Sequence, residues 1–487
     1  MTTAGISTTA RYADLIRLRA IRNKHRDGDR TMSITTSTPT DAPRTLDERI
    51  ERAGGPVQML RDAPVGAYPF PIRAEFTNWR DEQRAWRTTA TLMDSSFHMT
   101  DFYFKGPDVR RLLSDTGLNS VSNLGKDRAK QFVACNHEGY VIADCILMPF
   151  ADDEVALIGR PATPHWVAYQ AEKGGYDVEV TRDYQSSMNP GRRQLFRFQV
   201  QGPLSLRAVE KAAGHPLADI PSFRVGSLEI AGTKVRALNH SMSREVGYEL
   251  TGPFEAGAAV KQALIDAGRE FGMREVGGRA YPSMAIESGW IPSPTPAIFS
   301  GEGMRDYRDW LGPDAWEAAA SLGGSFYSDR IEDYYFTPWN LGLDRVMRFD
   351  HDFIGRDALE RMAKLPQRRK VWLRWNDEDF AQVLLGSLWG GEQRTKYPDQ
   401  PVSNYSTLSF DKVLAGDQII GISANSGYSV NVGGWSSLAV IDEDRIQDGT
   451  EVTVVWGEEG GGSAKPTVER HVQAEVRATI STSPLAR

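Results

Sequence analysis

Several features that define other classes of protein are absent from this sequence of 487 residues. It contains only two cysteines, Cys135 and Cys145, which excludes a disulfide framework and suits a reducing compartment. No uninterrupted apolar run approaches the ~20 residues that span a bilayer. The net charge of −7 gives no overall attraction to nucleic acid or to an anionic membrane. We therefore expect a cytoplasmic protein without a nucleic-acid or membrane partner.

The common signatures of cofactor and metal sites are absent as well. The sequence has no P-loop, no G-x-G-x-x-G after a predicted strand, no H-E-x-x-H and no C-x-x-C. Its eight histidines are scattered without helical spacing, so we predict no metal site. The triplet Asp350-His351-Asp352 is predicted to form a polar turn. These absences argue against a zinc enzyme and against a dinucleotide-dependent oxidase.

The length and composition are those of a globular enzyme with several domains. A chain of 487 residues permits two to four domains, and 40% hydrophobic with 25% charged residues is ordinary for such proteins. The first 45 residues differ, because an arginine-rich stretch is followed by a run of serine and threonine. We predict a disordered tail there, and Met32 is an alternative start.

Hydrophobic periodicity predicts a mixed α and β architecture. Phe196, Phe198 and Val200 alternate with polar residues, which is typical of a strand. A helix, a hairpin at 227–239, a strand at 246–251 and a long helix at 254–271 follow, and this order is a split βαβ pattern. Further predicted elements are helices that begin at about residues 46, 79, 109 and 165 and a β-meander over 131–159.

From about residue 370 the pattern changes to short strands with glycine-rich turns, which predicts a small barrel. The predicted divisions are a tail at 1–45, a first domain at 46–190, a split βαβ domain at 191–299, a connecting region at 300–365 and a C-terminal β-barrel at 366–487. The predicted fold class is therefore α+β.

One segment combines several residue types that carry chemistry. Residues 279–283 (RAYPS) and 287–294 (ESGWIPSP) place a tyrosine, an acid and a tryptophan on a run interrupted by proline and glycine. Such a run does not form one regular helix, so we predict a loop-like strap. Loops held by a rigid scaffold often carry functional residues.

Four blocks in a fixed order resemble the glycine-cleavage T-protein superfamily. They are residues 93–99 (MDSSFHM), 244–249 (REVGYE), 353–359 (FIGRDAL) and 423–429 (SANSGYS). In an ungapped overlay on the A-R-D-x-L-R-L-E-A-G pattern of that superfamily, Glu287 and Gly289 match and Tyr281 replaces the arginine. The resemblance implies a three-domain, cloverleaf architecture with a folate channel between the domains.

Longer blocks resemble one branch, the bacterial tetrahydrofolate-dependent O-demethylases of vanillate, 3-O-methylgallate and syringate. They are residues 66–68 (GAY), 76–80 (FTNWR), 196–203 (FRFQVQGP), 279–283, 287–294, 323–326 (GGSF) and 331–335 (IEDYY). The resemblance implies an enzyme that moves the methyl group of a methoxylated aromatic acid to N5 of tetrahydrofolate. It also implies that residues 46–190 lie on the substrate side and residues 191–299 bind folate, with no obligatory protein partner.

Methyl transfer from an aryl ether releases a phenoxide, so a general acid is expected to protonate it. The resemblance places a catalytic tyrosine at Tyr281, and the ordinary pKa of a phenol, about 10, matches that of the leaving group. It also assigns Arg160, which follows a predicted strand, to the aryl carboxylate or to the developing phenoxide. A buried structural tyrosine and a surface salt bridge are the alternatives for these two residues.

The remaining site residues follow from the same resemblance. Tyr68, Phe70 and His98 are assigned to the aryl substrate, although a core position is the alternative for His98. A carboxylate can accept two N–H bonds from a pterin, and the resemblance places this ligand at Glu249. Gln199 and Trp290 are assigned to the same folate site.

Two departures from the related patterns leave the substrate open. The paired aspartates that T-proteins use for amine substrates are Ala143-Asp144 here, and a tyrosine common in the aryl demethylases is Phe70. A folate-dependent demethylase of methylated amines or sulfonium compounds is therefore one alternative. A non-enzymatic folate-binding assembly factor is another, although the K-G-C-Y-x-G-Q-E motif of that branch is absent.

Overall fold

Strand pairing arranges the described part of the chain into three β-sheets. The structure is a computed structural model that describes residues 43–63, 70–189, 191, 193–292, 294–403, 405–462 and 465–486. From Pro43 onward these residues form one unit. No helix in this described part has the length and apolar character required to cross a membrane.

The elements are numbered in chain order. The α-helices are α1 (Leu46–Arg52), α2 (Pro56–Asp62), α3 (Trp79–Thr88), α4 (Val109–Thr116), α5 (Ala162–Lys173), α6 (Ser205–Ala213), α7 (Gly257–Gly268), α8 (Met284–Ser288), α9 (Arg305–Trp310), α10 (Pro338–Leu341), α11 (Arg356–Met362) and α12 (Asp377–Trp389). The strands are β1 (Thr91–Asp94), β2 (Thr100–Lys105), β3 (Lys130–Cys135), β4 (Val141–Ala151), β5 (Glu154–Gly159), β6 (Glu179–Asp183), β7 (Leu195–Gln201), β8 (Val225–Ile230), β9 (Thr233–Asn239), β10 (Gly247–Pro253), β11 (Arg274–Glu275), β12 (Leu322–Gly323), β13 (Arg368–Trp375), β14 (Leu408–Ala415), β15 (Gln418–Ser429), β16 (Gly434–Asp442), β17 (Glu451–Trp456) and β18 (Ala474–Ser481).

The first sheet has the strand order β11-β1-β7-β10-β9-β8. Its central strand β7 confirms the prediction for residues 196–201, and it is antiparallel to β1 and β10. Because side chains alternate between the faces of a strand, Phe196, Phe198 and Val200 share one face and pack in a core with residues of α6 and α7. Arg197 and Gln199 point to the other face, where they are also buried.

The second sheet has the order β3-β4-β5-β2-β6 and confirms the predicted meander. The two cysteines are on its neighbouring strands β3 and β4, but each is opposite another residue, since Cys135 pairs with Val141 and Cys145 with Phe132. Both are buried free thiols, and burial raises the pKa of Cys135 to about 12. The cysteines therefore act as small apolar residues of the core.

The third sheet closes into the predicted C-terminal barrel. β13 pairs with β16, the pairing continues through β15, β14, β17 and β18, and β18 pairs with β13 again. Trp375, Trp435 and Trp456 meet inside it, and Phe380 of α12 stacks on Trp435 with ring centroids 4.5 Å apart. The barrel core thus combines three tryptophans with many aliphatic side chains.

Two predicted segments differ in detail from the structure. The long helix predicted at 254–271 is the shorter helix α7, with a 3-10 turn at each end. The strap predicted as loop-like forms a 3-10 turn, Tyr281–Ser283, followed by α8. Pro282 is tolerated because it lies in the first turn, where a backbone N–H has no acceptor within the helix. Gly289 ends α8 with a φ of 77°, and a Cβ at this position would collide with the indole of Trp372.

The domain boundaries at residues 190, 299 and 365 stay predictions. β1 pairs with β7, so the first sheet takes strands from both sides of the boundary predicted at residue 190. β11, at Arg274–Glu275, completes its other edge. The strap that follows β11 therefore leaves the edge of the first sheet and then runs toward the barrel, where Trp372 donates a hydrogen bond to the carbonyl of Ile286.

Candidate active site

The polar face of the first sheet carries the two acceptors assigned to folate. Glu249 on β10 is directly opposite Gln199 on β7, so the two side chains project from the same face. They are 2% and 1% exposed, respectively. The amide nitrogen of Gln199 donates to the carbonyl of His240 at 2.8 Å, and this bond turns the side-chain oxygen away.

The side-chain oxygen of Gln199 is a hydrogen-bond acceptor that a ligand can use. Oε1 of Gln199 is buried and has no hydrogen-bond partner among the described residues. A buried acceptor without a partner is costly unless a ligand or water satisfies it. Together with the neighbouring carboxylate of Glu249, it matches the adjacent N–H donors of a pterin, so the residues present fit tetrahydrofolate.

Buried ion pairs hold Glu249 in place. Its Oε1 accepts a hydrogen bond from Nη1 of Arg197, and Nη2 of Arg197 lies 3.0 Å from Oδ1 of Asp101 on β2. Arg193 contacts the other oxygen of Asp101 at 3.1 Å. Burial raises the pKa of Asp101, whereas the charges of Arg197 and Arg193 oppose that shift. The network connects the polar faces of the first and second sheets and orients the glutamate.

Three aromatic rings form the part of the site assigned to the aryl substrate. The ring centroids of His98 and Tyr281 are 4.7 Å apart, and the ring of Phe70 meets His98 edge-on at 5.8 Å. Both ring nitrogens of His98 are buried without a hydrogen-bond partner among the described residues. Burial lowers the pKa of His98 to about 3, and the charge of Arg160 adds to the effect. His98 is therefore neutral at pH 7 and can donate one hydrogen bond and accept another.

Tyr281 retains its proton in this environment. It begins the 3-10 turn of the strap, and its backbone N–H donates to the carbonyl of Gly277 at 3.1 Å. Burial raises the pKa of Tyr281 to about 12, with the charge of Arg160 opposing the shift and that of Glu249 reinforcing it. The charges of both residues therefore act on the phenol. The phenol is a proton donor at neutral pH.

Arg160 lies immediately after β5, as predicted, and its guanidinium carbon is 5.6 Å from the ring centroid of Trp316. Trp316 belongs to a 3-10 turn, Trp316–Ala319, in the connecting region. The sequence reasoning missed this tryptophan, because residues 300–365 contain many aromatic residues without a distinguishing pattern. A tertiary contact is the signal that identifies it.

Trp290 is anchored on the second sheet. Its indole N–H donates to Oδ2 of Asp144 at 3.2 Å, and the amide of Gln131 donates to the same oxygen at 2.8 Å. Burial raises the pKa of Asp144, and these two hydrogen bonds oppose the shift. T-proteins have two aspartates where this chain has Ala143-Asp144. The remaining aspartate, Asp144, therefore holds Trp290. Tyr68 lies outside the described residues.

Comparisons with known proteins identify relatives of this chain. A model of the GCVT N-terminal domain family matches residues 58–293. Syringate O-demethylase of Sphingobium sp. (strain NBRC 103272 / SYK-6) is 41% identical over 91% of this chain and 96% of that protein. Sesamin methylene transferase of Sinomonas sp. (strain No.22) is 29% identical over 78% of this chain and 82% of its own.

A solved structure shows the same fold. The glycine cleavage system aminomethyltransferase T from Bartonella henselae superposes with a TM-score of 0.58 and 17% sequence identity. The match covers 87% of this chain and 94% of that chain. This match confirms the predicted T-protein-like fold.

Proposed function

This chain belongs to the glycine-cleavage T-protein family, and it contains the GCVT N-terminal domain of that family. We infer that it is a tetrahydrofolate-dependent aryl O-demethylase. It transfers the methyl group of a methoxylated aromatic acid to tetrahydrofolate and leaves a phenolic acid. The observation that carries this function is the 41% identity to a syringate O-demethylase over 96% of its length. The cluster of Tyr281, His98 and Arg160 supplies the chemical groups that the reaction requires.

The proposed role of Tyr281 is to protonate the leaving oxygen. The bond between the methyl carbon and the aryl oxygen breaks, and the electron pair remains on that oxygen, which then takes the phenolic proton. A pKa of about 12 makes Tyr281 a weaker acid than the unperturbed phenol expected from sequence. The same burial also raises the pKa of a phenol bound beside it, so the two remain close. General acid catalysis of this kind contributes typically ~10²–10⁴-fold.

Arg160 and His98 are proposed to bind the aromatic acid. A guanidinium stabilises either a carboxylate or a developing phenoxide, because it is always charged and planar. The neutral His98 offers one donor and one acceptor in a buried position, which fits a phenolic hydroxyl or methoxy oxygen. Phe70 and Tyr68 complete the proposed substrate side.

Glu249, Gln199 and Trp290 are proposed to hold the folate. The two acceptors bind the pterin N–H groups, and the tryptophan covers an aromatic face of the ligand. When bound, tetrahydrofolate supplies the N5 nucleophile that receives the methyl group. The sheet network around Arg197 fixes the direction of Glu249 before the ligand arrives.

The preferred substrate is proposed to be a 4-hydroxybenzoate with one or two methoxy groups, of the syringate type. An amine substrate is disfavoured, because Ala143 lacks a carboxylate and Asp144 is engaged with Trp290 and Gln131. Both reactants are small molecules, so we propose that no obligatory protein partner takes part. The need for a reduced folate and the free thiols support a cytoplasmic location.

The test is an anaerobic incubation of the purified protein with tetrahydrofolate and either syringate or vanillate. Equal amounts of the phenolic product and 5-methyltetrahydrofolate are expected in chromatography. The Tyr281→Phe variant should lose about 10²- to 10⁴-fold in kcat and retain its affinity for folate, because only the proton donor is removed. Tyr176→Phe, which removes a hydroxyl bonded to Asp115, is the matched control. Folate binding without turnover of any aryl methyl ether would refute the proposed substrate class.

A further inference from the structure

The guanidinium of Arg160 packs against an aromatic ring of the connecting region. The residue is fixed between β5 and α5, but a flexible side chain separates its Cα from the charged group. The guanidinium carbon lies 5.6 Å from the ring centroid of Trp316. A cation over an aromatic face within about 6 Å is attracted by the quadrupole of the ring, and tryptophan is the best partner. Trp316 is thus placed to restrict where the guanidinium can point.

A buried hydrogen-bonded pair next to Trp316 fixes that residue in turn. Glu317 has no exposed surface, and its Oε1 lies 2.9 Å from Nδ1 of His165. Nε2 of His165 lies 3.0 Å from the hydroxyl of Tyr184. If Nδ1 donates to the carboxylate, Nε2 of the neutral ring accepts from the hydroxyl, so both ring nitrogens are satisfied. Burial raises the pKa of Tyr184, which keeps the donated proton in place.

The pair of Glu317 and His165 connects the two segments that meet at Arg160. His165 is on α5, the helix that follows Arg160, and Glu317 is the residue after Trp316 in the 3-10 turn. Since the pair is buried, the turn cannot shift relative to α5 without exposing or separating two polar groups, which is costly. The distance between Arg160 and Trp316 is therefore set by contacts on both sides.

We propose that Trp316 is a positioning residue, which holds the guanidinium of Arg160 toward the aryl substrate, and that the Glu317–His165 pair fixes Trp316. This inference rests on the substrate role proposed above for Arg160. It assigns a part in the site to the connecting region, which otherwise contributes none of the proposed site residues. It predicts that Trp316 and Arg160 act as one unit, whereas two independent residues would have separate effects.

The experiment is a double-mutant cycle with Trp316→Leu, Arg160→Met and the combined variant. In steady-state demethylation, Trp316→Leu should lower kcat/KM about 10-fold, because a small misplacement of a catalytic group costs that much or more. Trp316→Leu and Arg160→Met should change the same kinetic parameter, either kcat or KM. The combined variant should be no slower than Arg160→Met alone. Trp389→Leu, the same substitution at a residue 75% exposed on α12, should leave kcat/KM unchanged.

Two further variants separate positioning from loss of structure. Trp316→Phe keeps an aromatic face and should recover most of the activity lost in Trp316→Leu. Glu317→Gln keeps the shape of the side chain and weakens its bond to His165. It should change the same kinetic parameter as Arg160→Met and have no effect in that background. These two variants decide the question even if Trp316→Leu does not fold.

The cycle overturns the inference if the effects of Trp316→Leu and Arg160→Met multiply, or if Trp316→Leu has wild-type kinetics. If the wild-type protein demethylates no aryl ether, the proposed function fails. The double-mutant cycle is then measured by thermal melting of the wild type and the three variants. Coupled shifts in Tm would then still support the contact between the two side chains. Shifts in Tm that simply add would overturn it.

Discussion

At the residue scale, burial rather than a neighbouring charge sets the protonation state of His98. Its ring nitrogens have no hydrogen-bond partner among the described residues, and its pKa falls to about 3. The folded protein therefore keeps the ring neutral, whereas the unfolded chain takes up a proton near the ordinary pKa of about 6.5. A histidine whose folded pKa is lowered contributes stability above the unfolded pKa that is lost as the pH falls toward the folded pKa.

The difference between the folded and unfolded pKa of His98 predicts that this one residue makes the protein less stable in acid. Between pH 6.5 and pH 5, His98 should lower the free energy of unfolding by about 2 kcal/mol, at about 1.4 kcal/mol for each pH unit. Denaturant unfolding at several pH values should show this loss in the wild-type protein, and His98→Gln should show a loss smaller by that amount. A variant with the same pH dependence as the wild type would show that His98 titrates normally in the folded state.

The second prediction at this scale concerns the carboxylate of Glu249, which is proposed to accept the pterin N–H groups. Replacing it by an amide removes the charge that accepts the pterin N–H groups, so Glu249→Gln should raise the Kd for tetrahydrofolate about 10- to 100-fold. Isothermal titration calorimetry measures the affinity directly. Glu245→Gln, at a partly exposed acid paired with Arg87, is the matched control and should bind folate normally. Unchanged affinity in Glu249→Gln would remove this residue from the folate site.

At the element scale, the strap of the 3-10 turn and α8 depends on one buried acid. Glu287 accepts hydrogen bonds from the indole of Trp86 on α3 at 3.0 Å, from the hydroxyl of Ser429 and from the amide of Asn431. Burial raises its pKa, and these bonds oppose the shift. One side chain thus connects the strap to α3 and to the barrel, and Tyr281 is on the same strap.

Removing this acid should loosen the strap. Glu287→Ala leaves several buried donors without an acceptor and should lower the free energy of unfolding by about 3 kcal/mol. Glu287→Gln keeps one acceptor oxygen and should lose less than half of that. Urea unfolding gives both values, and kcat should fall in the same order because Tyr281 shifts with the strap. Equal stability of the alanine and glutamine variants would contradict the proposed connection.

The elements differ in how far the sequence predicts them. β7 and α3 are predicted within a residue, because the alternation of Phe196 with Arg197 and the start at Trp79 are strong local signals. β14, β18 and α12 are not predicted, since their apolar residues are interspersed with polar ones and only the closed barrel buries them. The alternation does not show what lies against the polar face of β7, whereas in the structure Asp101 of the second sheet pairs with Arg197 on that face.

The site shows the same division between local and tertiary information. The resemblance to a known family provides Tyr281, Arg160 and Glu249 as predictions, because their motifs are contiguous in sequence. The contacts of Trp316 and Asp144 join segments more than a hundred residues apart, and no periodicity or motif links them. Residues that act through another side chain are therefore the ones that only the three-dimensional arrangement identifies.

At the scale of the whole molecule, the barrel supports the strap although it contributes no proposed site residue. Trp372 donates to the carbonyl of Ile286, and Ser429 bonds to Glu287. Gln83 of α3 donates to the carbonyl of Tyr428 on β15 at 3.0 Å. These contacts fix both the strap and the helix beneath it to the barrel. We therefore propose that residues 366–487 are required for a competent site.

A chain that ends at residue 365 tests this dependence. It retains Tyr281, Arg160 and Glu249 but exposes the apolar side of α8 and leaves Glu287 without two of its donors. We expect it to lose tetrahydrofolate binding and methyl transfer and to bind an apolar fluorescent dye, because the strap has no surface to pack against. The full-length Trp389→Leu variant is the control for a change confined to the barrel surface. A shortened chain that binds folate with wild-type affinity would show that the site forms without the barrel.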